Sequence, residues 1–139
     1  MDATANRFKS GFDNWPILDG REYIEADLGA GVTVRAYVEL DQFASPSDSW
    51  ASEEDIKAFN EDRLRFCELA LNVYVGGVCI ETDAANLCSI GIMDDDETSG
   101  EYLTERANEL LDQVDVAGIV GGFAKQATAA ARKLRAAGK

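Results

Sequence analysis

The sequence predicts an α+β fold: an antiparallel sheet of four to five strands with about three helices packed on one face. Three observations predict it. Residues 32–40 and 66–75 alternate apolar and polar with period two, Gly76-Gly77 sits between two apolar runs as a tight hairpin loop does, and residues 101–114 carry a helical apolar period. At 139 residues the chain can bury a core as a single domain, residues 1–139, without disulfide staples.

Taken in order, residues 1–15 mix Asn, Ser, Gly and charge without a stable period and are read as a flexible arm or short irregular helix. Residues 22–28 form a strand that runs through Gly29-Ala30-Gly31 into a second one. There Val32, Val34, Ala36, Val38 and Leu40 share a face opposite Thr33, Arg35, Tyr37 and Glu39. The Ser45-Pro46-Ser47-Asp48-Ser49 stretch is turn chemistry. Ser52 then caps a short helix, with Glu53, Glu54 and Asp55 in its first turn, Ile56, Phe59 and Leu64 turned inward and an end near Leu64.

In the next strand Leu69, Leu71, Val73 and Val75 face one way and Glu68, Ala70, Asn72 and Tyr74 the other. A two-residue Gly76-Gly77 loop pairs Val75 with Val78, Val73 with Ile80 and Leu71 with Thr82, so turn and pattern demand one register. Residues 87–93 supply a further strand, with Gly91 at a bulge or close approach. Thr98 with Glu101 reads as a capping box. The helix that follows turns Tyr102, Leu103, the Arg106 stem, Ala107, Leu110, Leu111 and Val114 inward, and Glu101, Glu105, Glu109 and Asp112 outward. Gly118 and Gly121-Gly122 are expected to interrupt helicity before an alanine-rich, basic helix within residues 118–139.

Composition narrows the function. With 46% apolar and 28% charged residues the chain is an ordinary globular one, yet 26 acids against 13 bases give a net charge of −13. A field of that sign repels phosphate backbones and anionic membranes, so direct nucleic-acid or membrane binding is not expected. No apolar run is long enough for a membrane span and no signal peptide is visible, so a cytoplasmic protein is expected. Histidine is absent, removing Ser-His and Cys-His catalysis and the usual zinc sites. Cys67, Cys79 and Cys88 lack metal or redox spacing and read as free buried thiols. There is no GxGxxG, P-loop or GxSxG pattern, and no pair of acids stands out for glycoside chemistry. Asp95, Glu97, Ser99 and Gly100 match the early positions of a calcium loop, but Arg106 stands where its bidentate acid belongs. The reading is a non-enzyme with no catalytic residues, no metal and no cofactor.

What remains is charge geometry. Residues 125–139 hold five bases and no acid, leaving −18 on residues 1–124. These bases complement the dipole of their own helix or fold against the acidic body. Carboxylates four residues apart on a helix are displaced by about 6 Å along its axis, comparable to neighbouring phosphates. Glu101, Glu105, Glu109 and Asp112 form such a stripe, with Glu53, Glu54, Asp55, Glu61 and Asp62 on the short helix and Asp94, Asp95, Asp96 and Glu97 in the loop. An array of this kind can occupy a basic nucleic-acid-binding cleft, although acidic faces also serve solubility alone.

The motifs Ser52-Glu53-Glu54-Asp55-Ile56, with Phe59, Asp62, Arg63 and Arg65, and Tyr102-Leu103-Thr104-Glu105, with Asn108-Glu109-Leu110-Leu111, resemble a group of small acidic proteins of phages and other mobile elements. The resemblance covers residues 46–112. It departs at Leu87-Cys88-Ser89-Ile90-Gly91, where the group is expected to carry a Leu-Trp-Gly-Ile-Glu strand. Such an origin implies an inhibitor of host defence, including anti-CRISPR and antirestriction proteins. The partner expected is a host defence complex with a basic DNA- or RNA-binding surface. The alternative is a phage structural or regulatory protein binding a partner, or itself as a homodimer, through Trp15, Tyr23, Tyr37 or the alanine-rich helix.

Overall fold

The computed structural model describes residues 7–46 and 51–138. The elements run β1 (Asp19–Gly29), β2 (Val32–Leu40), α1 (Glu53–Asn60), β3 (Leu64–Val75), β4 (Val78–Met93), α2 (Ser99–Gln113) and α3 (Val116–Ala137). The strands form one antiparallel sheet in the order β1-β2-β3-β4, so the expected class holds with four strands. Among the described residues no helix is long and apolar enough to cross a membrane.

Alternation in β2 and β3 builds the core. Val34, Ala36 and Val38 lie beside Val73, Leu71 and Leu69 in register, all fully buried, and α2 covers them with Leu103, Ala107, Leu110 and Leu111. Leu103 is completely buried, and truncating it to Ala costs about 2–5 kcal/mol. Helix α1 lies apart from this arrangement. Ala58 and Phe59 pack on Leu64 and Phe66, which alternate with Cys67 and Leu69 and so point from the other face of the sheet. The helix stops at Asn60, short of Leu64, which opens β3. Ser52 caps the helix as expected, and Asp55 completes a reciprocal capping box with it, whereas Ser47, Asp48 and Ser49 of the preceding turn lie outside the described residues.

Strand β4 departs most from the expected register. Val75 opposes Val78 across Gly76-Gly77, but Val73 opposes Glu81 rather than Ile80, and Leu71 opposes Ala85 rather than Thr82. Residues 78–82 and 87–93 are one strand, whose 16 residues face the 12 of β3, and the pairing slips at three places. Side chains of Asn72 in β3 and of Asp41, just beyond β2, take up the freed amides. Asp83 N–H donates to Asn72 Oδ1 at 2.8 Å and Ser89 N–H to Asp41 Oδ2 at 2.9 Å. Both Asp83 and Ser89 adopt positive φ, where bulges turn the chain.

Residues 7–15, read from sequence as an arm, are latched along α2. Phe8 N–H donates to Asn108 Oδ1, Phe12 N–H to Thr104 Oγ1 and Trp15 N–H to Ser99 Oγ, each at 3.0 Å, while Phe8 and Phe12 enter the core. The Asn14 side chain accepts from Gly100 N–H and donates to Glu97 O, so it supplies the cap assigned to Thr98. Thr98 makes no side-chain cap; its hydroxyl and amide donate to Asp96 Oδ1. Tyr102, expected inward, is 44% exposed.

Helix α3 runs through all three glycines. Asp115 Oδ1 accepts from Gly118 N–H at 3.0 Å, and a Cβ at Gly118 would overlap that carboxylate, so this glycine serves the cap instead of breaking the helix. Val116, Ile119 and Val120 rest on the core edge, whereas residues 121–130 are all exposed. Of the three cysteines, all free, only Cys67 is buried; Cys79 and Cys88 lie exposed on the bulged β4, contrary to the sequence reading.

Candidate functional site

The proposed acidic residues fall into three groups. Glu101, Glu105, Glu109 and Asp112 are all exposed on α2, as the helical period requires. Two arginines temper that stripe: Arg106 bonds Glu109 at 2.7 Å and approaches Glu105 at 3.9 Å, and Arg7 bonds Asp112 at 2.9 Å. Glu101 has no basic partner among the described residues. The second group, Asp94, Asp95, Asp96 and Glu97, leads into Glu101. Bonds from Thr98 Oγ1 and its amide hold the Asp96 carboxyl below the usual range.

The third group is Glu53, Glu54, Asp55, Glu61 and Asp62. Asp94 N–H donates to Arg63 O, which joins the acidic turn to the α1–β3 turn carrying Glu61 and Asp62. Glu61 is occupied by Lys57 at 3.8 Å and Arg63 at 3.1 Å, and Asp55 by the capping box. Because α1 and α2 pack on opposite faces of the sheet, Glu53, Glu54 and Asp55 do not share a face with the α2 stripe; the turn at residues 94–97 lies between the two groups.

Sequence reasoning missed a second polar surface, on the sheet face away from α2. Its anchor is Arg35, whose guanidinium stacks between Tyr23 at 4.5 Å and Tyr74 at 4.4 Å. Arg35 donates to Tyr37 Oη at 3.3 Å and Glu25 Oε2 at 2.9 Å, and these two bonds hold its pKa above the ordinary arginine value. Tyr37 and Tyr74 share a hydroxyl hydrogen bond of 2.9 Å, and burial raises the Tyr74 phenol. Trp15, offered as an exposed contact, is half-buried with the Arg65 guanidinium 4.4 Å from its ring centre; Tyr37 is half-buried too, while Tyr23 is 42% exposed.

Beside this cluster lies an open cleft of about 360 Å³ lined by Tyr37, Glu39, Glu68, Asn72, Asp83 and Asn86, among others. Glu39 and Glu68 are direct cross-strand partners, a like-charge pairing that disfavours the sheet unless cations approach it. Asn86 Nδ2 donates to Asp83, and the Cys88 thiol to Glu68. The cleft therefore presents hydrogen-bond acceptors to a cationic group such as a lysine or arginine side chain. The available signal was the polar alternate face of β2 and β3. The contribution of Asp83 was hidden because it depends on the β4 bulges. Among the described residues no group of His, Cys, Asp and Glu is placed to hold a metal ion.

Comparison with family models, curated proteins and solved structures finds no match to this chain.

Proposed function

We propose that this protein is a non-enzymatic inhibitor from a phage or other mobile element. It acts as an acidic nucleic-acid mimic on a basic DNA- or RNA-binding surface of a host defence complex, with a CRISPR effector as the leading target. The observation that carries the reading is the set of exposed carboxylates on the turn at residues 94–97 and at Glu101, Glu105 and Glu109 of a helix fixed by its buried face. Turns of that helix repeat at about 5.4 Å, on the scale of phosphate spacing along nucleic acid. The latched segment 7–15 holds the start of α2 and preorganises the array, which limits the ordering cost of binding.

The test is combined charge reversal of Glu101, Glu105 and Glu109 to Lys, leaving Asp112 to its pair with Arg7. All three side chains are exposed, so the fold should persist, as circular dichroism checks. Loss of inhibition in the folded variant is expected. Undiminished inhibition would reject this array as the contact. Single reversals should have small effects, because exposed ion pairs are each weak.

A further inference from the structure

We propose that α3 pairs antiparallel with α3 of a second copy of this chain. The helix is otherwise short of reasons to exist. Beyond Val120 it projects from the body, and residues 121–130 are exposed throughout. Gly121 and Gly122 each cost roughly 1 kcal/mol relative to Ala, and most helical stability in proteins comes from packing of an apolar face rather than from propensity.

One face of α3 has the pattern of a helix that packs on another. Val116, Val120, Phe123, Ala127, Ala130, Leu134 and Ala137 follow one another at alternating steps of four and three, the 3.5-residue repeat of a coiled-coil seam. Val116 and Val120 spend part of this seam on their own core, but Phe123 is 41% and Leu134 73% exposed, with Ala127 and Ala130 also bare between them. The bases keep off the seam. Lys125 and Arg132 lie on the opposite side of the helix, and Lys133 and Arg135 flank its far end.

Charge selects both the partner and the direction. Residues 125–139 carry five bases and no acid, and residues 1–124 carry −18, so each copy holds both halves of a complementary pair. Parallel pairing would set Lys133 and Arg135 beside the same residues of the second copy. Antiparallel pairing, centred between Thr128 and Ala129, separates these two pairs by about 16 Å along the axis, beyond the Debye length of about 8 Å at physiological salt, while Lys125 and Arg132 face outward from both helices. It also carries each basic end toward the acidic body of the other copy. Phe123 then faces Leu134 of the second copy, twice by symmetry, and Ala127 faces Ala130, where the small side chains let the helices approach closely. The two helix dipoles oppose as well.

Light scattering and sedimentation on the full chain test this at micromolar concentration. The wild type is expected at twice its 15.1 kDa chain mass. Phe123→Glu alone and Leu134→Lys alone should each halve that mass, by placing one charge in an apolar seam. The double variant should restore the dimer, because antiparallel pairing sets Glu against Lys. Both sites are exposed, so neither substitution should unfold the body. A monomeric wild type, dimeric single variants, or a double variant that stays monomeric would each overturn the proposal.

Discussion

Gly100→Ala separates two forces that act in opposite directions on the start of α2. If α2 were a surface helix with a free N-terminus, replacing its glycine would stabilise it by about 1 kcal/mol. In the folded chain a Cβ at Gly100 would overlap the Phe12 carbonyl oxygen and lie 2.8 Å from the Asp13 carbonyl carbon and 3.0 Å from the Asn14 nitrogen. These are backbone atoms and cannot swing away. The latched segment must shift, straining Gly100 N–H to Asn14 at 2.8 Å, Asn14 to Glu97 O at 2.6 Å and Trp15 N–H to Ser99 at 3.0 Å. Overpacking costs about 1–3 kcal/mol and each lost hydrogen bond about 1 kcal/mol, so the net effect is destabilisation by roughly 2 kcal/mol or more. Urea titration reads the total, and hydrogen exchange at Phe8 and Phe12 shows whether the segment has lifted. Gly121→Ala, where no atom lies within 4 Å, is the control and should not destabilise. A Gly100→Ala protein as stable as wild type, with its Phe8 and Phe12 amides still protected, would refute the latch.

Thiol titration of the native protein should label two cysteines and leave the third, Cys67, unreactive until unfolding, because burial pushes its pKa up to about 12. Of the two exposed thiols, Cys88 should react slowly for its exposure, since desolvation and its bond to Glu68 also raise its pKa; three equally fast thiols would contradict the burial assignment. Asp96 gives a pH signature. Its folded pKa is depressed by Thr98, so its contribution is complete above the ordinary carboxylate value near 4 and is lost as pH falls through the lower folded value. The stability deficit of Asp96→Asn should therefore be constant at neutral pH and shrink in acid; a deficit unchanged at pH 2 would exclude the charged bond.

Period-two alternation and a glycine pair were enough to place β2, β3 and the Val75–Val78 turn, because one buried face fixes which residues point inward. The β4 register was illegible for a definite reason. Its extra residues are accommodated by Asn72 and Asp41, whose bonding roles depend on neighbours distant in sequence. Residues 7–15 were unreadable as structure since their amides are satisfied by Asn108, Thr104 and Ser99 on α2, and no local pattern encodes that. Gly118 misled because a cap contact and a helix breaker look alike in one dimension. For the acidic array, the α2 stripe was legible from spacing. Its separation from the α1 acids needed the knowledge that Leu64 and Phe66 face α1 while Cys67 and Leu69 face α2.

The central claim, that the carboxylate array stands in for nucleic acid, is tested most directly by salt-stepped capture. The purified protein is used as bait in host lysate, and the complex it retains is then challenged with duplex DNA and RNA. The account predicts a nucleic-acid-binding defence complex that elutes as ionic strength rises and is displaced by the nucleic acid it normally binds. A partner that remains bound through high salt and ignores competing nucleic acid would contradict it.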